Sequence, residues 1–154
     1  MTRQTLHACA VLAGETGILI LGRACSGKSG LARQIVENWH DRGLFASLVG
    51  DDRIALCVAH GRLIARPHPV IAGQAEVRGL GILPFAHEAR ACIGLVVELT
   101  EQPAVRLPEA KDRAITLLGV SVPLLRLEAT AAPHSALERV RIRLAKGTFM
   151  FDAG

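Results

Sequence analysis

Aromatic side chains are scarce in this sequence. Its 154 residues include no tyrosine, one tryptophan and four phenylalanines. Proteins that bind nucleic acids usually combine clustered cations with aromatic rings on which bases stack. The formal net charge is only +4 at pH 7. The composition therefore does not favour a nucleic-acid partner, and the positive balance is better suited to nucleotide phosphates or to an acidic protein surface.

Long apolar runs and paired cysteines are also missing. Although 50% of the residues are hydrophobic, no apolar run approaches the ~20 residues of a membrane-spanning helix. The N-terminal Met1–Thr5 stretch does not resemble a signal peptide. The cysteines form no C-x-x-C pair, which argues against a zinc site and against a disulfide framework; they are Cys9, Cys25, Cys57 and Cys92. We therefore expect a cytoplasmic protein without a membrane segment, folded as a single domain over residues 1–154.

A glycine-rich phosphate loop is the most informative feature that is present. Residues Gly22–Ser29 read Gly-Arg-Ala-Cys-Ser-Gly-Lys-Ser and fit G-x-x-x-x-G-K-[ST]. The apolar run Gly17–Leu21 precedes the loop and a helical pattern from Ser29 to His40 follows it, which is the context that the motif requires. The alternative, a chance glycine-rich turn, lacks this context. The sequence therefore predicts a nucleotide-binding loop made of Gly22, Arg23, Ala24, Cys25, Ser26, Gly27, Lys28 and Ser29.

Two side chains of the loop have specific expected roles. Lys28 should reach the β- and γ-phosphates, and the Ser29 hydroxyl should ligate Mg²⁺. Cys25 lies near a helix N-terminus, where the pKa of a thiol can fall. We interpret Cys25 as a residue at a variable position of the motif without a specific role, and a redox role is the alternative.

The rest of the chain predicts an α/β fold. The central sheet should be of mixed direction, since strands and helices do not alternate regularly. We expect a second helix from Ser135, with Glu138 completing a capping box, to about Ala145, and Gly147 should end it. The segment 70–82 has no readable periodicity. The predicted strands are Thr5–Ala13, Gly17–Leu21, Leu44–Val49, Ile54–Val58, Arg62–Ala65, Ala91–Leu99, Ala114–Leu118 and Val122–Leu127.

Two charged blocks are candidates for chemistry. Asp51 and Asp52 follow a predicted strand, where ligand crevices form in α/β sheets, and the pair could divide between Mg²⁺ and a substrate hydroxyl. A solvated turn is the alternative, because aspartate favours turns. Glu76 and Arg78 lie two residues apart and share a face if the chain is extended. They could hold a metal ion and a phosphoryl oxygen, or form a surface ion pair.

Taken together, these blocks resemble HPr kinase/phosphorylase, the bacterial serine kinase of the phosphotransferase carrier protein HPr. Leu6-His7, the phosphate loop, Asp51-Asp52-Arg53 and Glu76–Ile82 occur in the family's order. The last block reproduces the family signature E-[IV]-R-G-L-G-I in full and is more specific than a phosphate loop. The resemblance covers roughly residues 5–145. It implies a carboxykinase-like variant of the phosphate-loop kinase fold.

The resemblance also implies a role for each candidate residue. Asp52 would be the general base that accepts the proton of the acceptor serine, with His7 assisting. Lys28, Arg113 and Arg78 would stabilise the transferring phosphoryl group of ATP. Ser29, Glu76 and Asp51 would form the Mg²⁺ site. The alternatives are a packed strand histidine for His7 and a surface arginine for Arg113.

The sequence departs from the family pattern in several places. The long form of the family has a domain before the kinase domain, so this chain resembles the short form. Gly30 stands where the family has an acidic residue. The family's arginine-containing segment for dephosphorylation corresponds to Glu128–Pro133, which has no arginine, so kinase activity is better supported than phosphorolysis. Arg139, Arg141 and Arg143 lie in the helix with which the family contacts its protein substrate, so they could bind an acidic rim of that substrate or form a solvated face.

These observations predict an ATP- and Mg²⁺-dependent protein-serine kinase. Its partner would be an HPr-like carrier, and the family's hexamers imply a homo-oligomer. Two other functions remain open at this point. One is a small-molecule kinase on the same scaffold, and the other is a non-catalytic nucleotide sensor.

Overall fold

The computed structural model describes residues 2–69, 73–77, 79–84, 87–103, 108–130 and 133–150. These residues form ten strands, two α-helices and a short 3₁₀ helix, Ala110–Asp112. The helices are α1 (Lys28–Asp41) and α2 (Pro133–Met150). The strands are β1 (Arg3–Ala13), β2 (Thr16–Gly22), β3 (Ala46–Gly50), β4 (Arg53–Ala59), β5 (Arg62–Pro67), β6 (Gln74–Val77), β7 (Gly81–Pro84), β8 (Ala91–Thr100), β9 (Ala114–Leu117) and β10 (Val120–Glu128).

The central sheet is mixed in direction. Strand β1 pairs antiparallel with both β2 and β3, whereas β2, β8 and β10 run parallel to one another. The carboxyl ends of these three parallel strands therefore meet at one edge of the sheet, where α/β folds bind ligands. The first half of β1 pairs with β4 instead, and the β4–β5 hairpin joins the start of β8. The predicted α/β class with a mixed central sheet is confirmed.

The sheet buries a hydrophobic cluster on each face. One cluster packs sheet residues such as Cys9 and Ile20 against Ile35 and Trp39 of α1 and Val140 of α2. The other packs the opposite face against the β4–β5 hairpin. The alternation of side chains along β1 produces this division, because Cys9 and Val11 face the helices whereas Ala8 and Ala10 face the hairpin. Both helices are thereby fixed on the same face of the sheet.

The predicted elements agree with the structure except at their ends and in α2. Leu31, Ile35 and Trp39 are the buried face of α1, as expected. The tight turn between β4 and β5 has positive φ at His60 and Gly61, as a two-residue hairpin requires. Within the described parts of the chain, neither helix combines the length and the hydropathy of a membrane-spanning segment.

The prediction for α2 was wrong at both ends. The helix begins at Pro133, so Ser135 lies inside it and cannot be its N-cap. Proline suits the first helical position because its missing N–H has no intrahelical partner there. The helix also continues past Gly147 to Met150, since one glycine costs a helix only about 1 kcal/mol.

Gly17 gives a stability prediction, because β2 and β8 approach very closely at this residue. A Cβ atom at position 17 would lie 2.5 Å from the Cys92 carbonyl oxygen and 3.0 Å from the Ala91 Cβ. We expect Gly17→Ala to destabilise the fold by about 1–3 kcal/mol, as overpacking does, measured by urea unfolding. Gly30→Ala is the control, because a Cβ there meets nothing within 4 Å. Equal stability of the two variants would contradict the close packing.

Candidate active site

The phosphate loop connects the carboxyl end of β2 to the start of α1. Gly27 is the N-cap of α1 and has φ 98°, which the absence of a side chain permits. Gly27 has no side chain with which to cap the helix, so the first amide groups of α1 are available to a ligand. A helix N-terminus with available amides attracts phosphate through its partial positive charge. Cys25 also has a positive φ, 64°, so the loop curls tightly around its centre.

Lys28 is folded back across the loop. Its Nζ donates hydrogen bonds to the carbonyl oxygens of Gly22 and Arg23, each at 2.8 Å. Only 8% of the residue is exposed. The ammonium group therefore lies at the mouth of the loop, where a charged donor stabilises phosphate oxygens.

Ser29 connects the loop to the first member of the acidic pair. Its Oγ donates a 2.6 Å hydrogen bond to Oδ1 of Asp51, which lies directly after β3. Asp51 is 5% exposed. The same Oδ1 accepts a hydrogen bond from the thiol of Cys9, with an Sγ–Oδ1 distance of 3.0 Å. A hydroxyl and a carboxylate thus meet at the side of the loop that faces β1 and β3.

The second member of the pair, Asp52, lies at the surface beside His7. His7 Nδ1 is 3.8 Å from Asp52 Oδ1, and the two side chains are 75% and 70% exposed. The Asp52 backbone has φ 67°, and its carbonyl oxygen accepts a 3.1 Å hydrogen bond from the Ala8 amide. Because adjacent Cα atoms are about 3.8 Å apart, Asp52 remains close to the Ser29–Asp51 contact while its side chain faces solvent.

A cleft of about 1300 Å³ opens on the other side of the loop. Loop residues from Gly22 to Ser26 form one wall, and the ends of β8 and β10 form the other. Arg126 crosses it, with Nε 3.2 Å from Glu98 Oε1 and Nη1 3.2 Å from Asp112 Oδ1. Arg139 of α2 also lines the cleft. The loop thus separates a carboxylate side from a larger cleft at the carboxyl ends of the parallel strands.

The remaining predicted residues are less clearly placed. Arg113 is exposed, and its Nε donates to the Pro108 carbonyl oxygen at 3.0 Å; Pro108 itself lines the cleft. Glu76 lies in β6, but its side chain, like all of Arg78, falls outside what the structure describes. The residue before Glu76, Ala75, lines a small cavity together with Ser29 and Asp51. The roles of Arg113, Glu76 and Arg78 stay predictions.

Two residues near the loop were not predicted as part of the site. Arg126 lies inside a predicted strand, and the pattern of the sequence does not indicate that it joins Glu98 to Asp112. Cys9 lies inside the first strand and carries no motif. The available signal was its spacing of two residues from His7, because side chains two residues apart on an extended strand share one face.

Cys9 gives a prediction about thiol reactivity. Burial, followed by the nearby negative charge of Asp51, raises its pKa to about 12. At pH 7–9 the thiol therefore stays protonated, and only the thiolate is a good nucleophile. In the folded protein we expect a soluble alkylating reagent to modify exposed Cys25 well before buried Cys9, as measured by peptide mass spectrometry. In denaturant the two cysteines should be modified at similar rates. Equal rates in the folded protein at pH 8 would contradict the prediction.

The residues present fit both ATP phosphates and Mg²⁺. The Ser26 Oγ is buried and has no hydrogen-bond partner among the described residues, so it offers an additional group to phosphate. Within the described parts of the chain, no group of three His, Cys, Asp or Glu side chains could hold a metal ion. Mg²⁺ normally binds through one or two carboxylates together with substrate phosphates, and the Ser29–Asp51 pair matches this smaller donor set.

The fold and the site define an α/β domain of the phosphate-loop kinase-like fold. The family model "HPr Serine kinase C-terminal domain" matches residues 1–137, and the chain belongs to this family. The HPr kinase/phosphorylase of Mycoplasma mycoides is 34% identical over 138 residues, which cover 81% of this chain and 42% of that protein. The Treponema pallidum HPr kinase/phosphorylase is 33% identical, over 92% of this chain and 50% of that protein.

A solved structure supports the same assignment. The structure of the Hpr(Ser) kinase/phosphatase from Coxiella burnetii superposes with a TM-score of 0.76 at 28% sequence identity. The match covers 94% of this chain and 99% of that one. The predicted family and the predicted phosphate-loop kinase fold are confirmed. The chain spans about half the length, or less, of the two relatives named above.

Proposed function

We propose that this chain is a protein-serine kinase domain that transfers the γ-phosphoryl group of ATP to an HPr-like carrier protein. The names of its relatives supply the acceptor. We further propose that residues 1–154 form one catalytic domain, that it works as a homo-oligomer, and that it acts in the cytoplasm, where ATP is available. The single observation that best supports a protein acceptor is the exposure of Asp52.

A base that serves a protein acceptor has to be reachable from outside. The Asp52 carboxylate is 70% exposed and lies next to an equally open His7. A serine on the surface of another protein can therefore approach it without entering a pocket. A small-molecule kinase would be expected to enclose its acceptor, since small ligands are bound in clefts that bury most of their surface. The geometry thus favours a protein over a metabolite as the acceptor.

Each residue of the site has a distinct task in this proposal. Asp52 accepts the proton of the acceptor hydroxyl, and His7 keeps a polar partner beside that carboxylate. Lys28 and the loop amides neutralise charge on the transferring phosphoryl group. Ser29 and Asp51, with Glu76 as the predicted third member, would hold Mg²⁺, which supplies charge stabilisation at the phosphates. Positioning and electrostatics of this kind account for most of the catalysis of phosphoryl transfer.

The cleft beside the loop provides a place for the rest of ATP. The phosphate loop forms one wall, so a nucleotide whose phosphates lie on α1 can extend along the ends of β8 and β10. The cleft has a volume of about 1300 Å³, which is enough for a nucleoside. This leaves the side with Asp51 and Asp52 open for the acceptor.

The forward reaction is expected to dominate over dephosphorylation. The segment Glu128–Pro133 contains no arginine, and arginine is the side chain best suited to bind an attacking inorganic phosphate. Of this segment, Ala129 and Thr130 line the cleft. Only a small acceleration of dephosphorylation by added phosphate is therefore expected.

The deciding experiment follows radiolabel from [γ-³²P]ATP to a purified HPr-type protein in the presence of Mg²⁺. Transfer to serine, identified by phosphoamino-acid analysis, supports the proposal. Label in a metabolite mixture without any protein acceptor would support the small-molecule alternative. Tight binding of nucleotide without any transfer would contradict a kinase function. A parallel reaction of phosphorylated carrier with inorganic phosphate measures the reverse direction.

A further inference from the structure

Three consecutive residues of β1 contact the acidic pair. The His7 ring lies beside the Asp52 carboxylate at 3.8 Å, and the Ala8 amide donates to the Asp52 carbonyl oxygen at 3.1 Å. The Cys9 thiol donates to Oδ1 of Asp51 at 3.0 Å. Cys9 is completely buried, and its backbone position is set by pairing with Ile20 of β2. The acidic pair is thus held by a strand that is itself fixed by pairing with β2, β3 and β4.

We propose that Cys9 is a positioning residue for the Mg²⁺-binding carboxylate, acting through the hydrogen bond from its thiol to Asp51. This inference rests on the proposed function, in which Ser29 and Asp51 are the Mg²⁺ ligands. Cys9 does not touch the metal or the nucleotide in this proposal. It determines where the carboxylate of Asp51 lies when they arrive.

Oδ1 of Asp51 accepts hydrogen bonds from two different parts of the fold. Ser29 donates from the first turn of α1, and Cys9 donates from the sheet below it. The Sγ atom of Cys9 is also 3.7 Å from the Ser29 Oγ, so the three side chains form one compact group. Rotation about the terminal bond of an aspartate is soft, and two donors on one oxygen restrict it. Without the thiol, the carboxylate keeps the bond from Ser29 but loses its support from β1.

The alternative role for Cys9 is packing alone. It belongs to the hydrophobic cluster beneath α1, and a buried cysteine often behaves as a small apolar side chain. Substitutions separate the two roles. Cys9→Val fills a similar volume without a donor, Cys9→Ala removes both volume and donor, and Cys9→Ser keeps a donor. Cys57→Ala is the matched control, because Cys57 is also buried but lies in β4.

The experiment measures how much Mg²⁺ is needed to tighten the binding of a fluorescent ATP analogue to the intact chain. Groups that support metal ligands typically change metal affinity by 10- to 100-fold, so Cys9→Val and Cys9→Ala should raise the half-saturating Mg²⁺ concentration at least ~10-fold, and Cys9→Ser less than ~3-fold. Binding of the analogue in EDTA should be unchanged in all variants. Cys57→Ala should leave the Mg²⁺ dependence at the wild-type value even if it lowers Tm.

Each other outcome overturns a defined part of the argument. If Cys9→Val retains wild-type Mg²⁺ dependence, Cys9 only packs, and the proposed kinase function is unaffected. If Cys9→Ser is impaired as strongly as Cys9→Val, the thiol does not act as a hydrogen-bond donor to Asp51. If Mg²⁺ does not tighten nucleotide binding in the wild type, the Ser29–Asp51 site fails, and both the proposed function and the role of Cys9 fall with it.

Discussion

Replacing Asp52 by asparagine should reduce phosphoryl transfer to the carrier protein by about 10²- to 10⁴-fold, the usual contribution of a general base. The substitution keeps the size of the side chain and removes its ability to accept a proton. Asp52 is exposed and adjacent to His7, so we expect almost no loss of stability. Nucleotide binding should also persist, because it is Asp51 that accepts the hydrogen bond from Ser29 of the loop, whereas the Asp52 side chain lies beside His7. The measurement is the initial rate of serine labelling, with nucleotide affinity determined in parallel.

The control for this prediction is Asp41→Asn. Asp41 is an exposed aspartate at the end of α1, and its substitution should change neither rate nor affinity. A variant with Asp52→Asn that labels the carrier at the wild-type rate would exclude Asp52 as the base. Loss of nucleotide binding in the same variant would instead indicate that Asp52 supports the phosphate loop.

The part of the site that the sequence predicts is the part formed by local geometry. The conformation of a glycine-rich loop between a strand and a helix depends on residues that are neighbours in the sequence. The motif Gly22–Ser29 was therefore enough to predict it. The neighbouring position of Ser29 and Asp51 was also expected, although the residues are far apart in the chain. The reason is that strand ends meet at one edge of a sheet, and both residues follow strands that pair with β1.

The parts that could not be predicted depend on register between distant strands. Cys9 reaches Asp51 because β1 pairs with β3 in a register that contains an irregularity between Ala10 and Val11. No local pattern specifies such a shift. Arg126 reaches Glu98 because β10 and β8 pair in parallel with these two residues directly opposite each other. In both cases the contact follows from long-range pairing, whereas motifs and periodicity report only on short stretches of chain.

Segment 73–84 is a further part of the structure that the sequence pattern did not predict. Its sequence has no clear period, yet Gln74–Val77 and Gly81–Pro84 form a hairpin. Leu80 and Ile82 are largely exposed there, at 71% and 69%. Strand β7 lacks the alternation of buried and exposed positions on which strand prediction depends. The resemblance to the family located this block, but it did not supply its conformation.

Replacing Lys28 by methionine should impair both nucleotide binding and transfer. The ammonium group is held at the mouth of the loop by the carbonyl oxygens of Gly22 and Arg23, and from there a charged donor can bind phosphate oxygens directly. Removal of a group that stabilises charge in the transition state typically costs about 10²–10³ in kcat. We expect that loss in labelling rate, together with a weaker affinity for ATP. Methionine preserves the unbranched apolar stem of lysine, so the loss of folding stability should be limited to about 1–3 kcal/mol for the lost hydrogen bonds.

The comparison between Lys28→Met and Asp52→Asn is more informative than either variant alone. In the proposed mechanism, Lys28 would contact the phosphates in both the bound and the transferring state, so its loss should raise the Kd for ATP as well as lower the rate. Asp52 would contact only the acceptor hydroxyl, so its loss should lower the rate alone. Lys146→Met, at an exposed position of α2, controls for the change of charge in nucleotide titrations. If Lys28→Met binds ATP as tightly as the wild type, the phosphates do not lie on this loop, and the assignment of Ser29 and Asp51 to Mg²⁺ loses its basis.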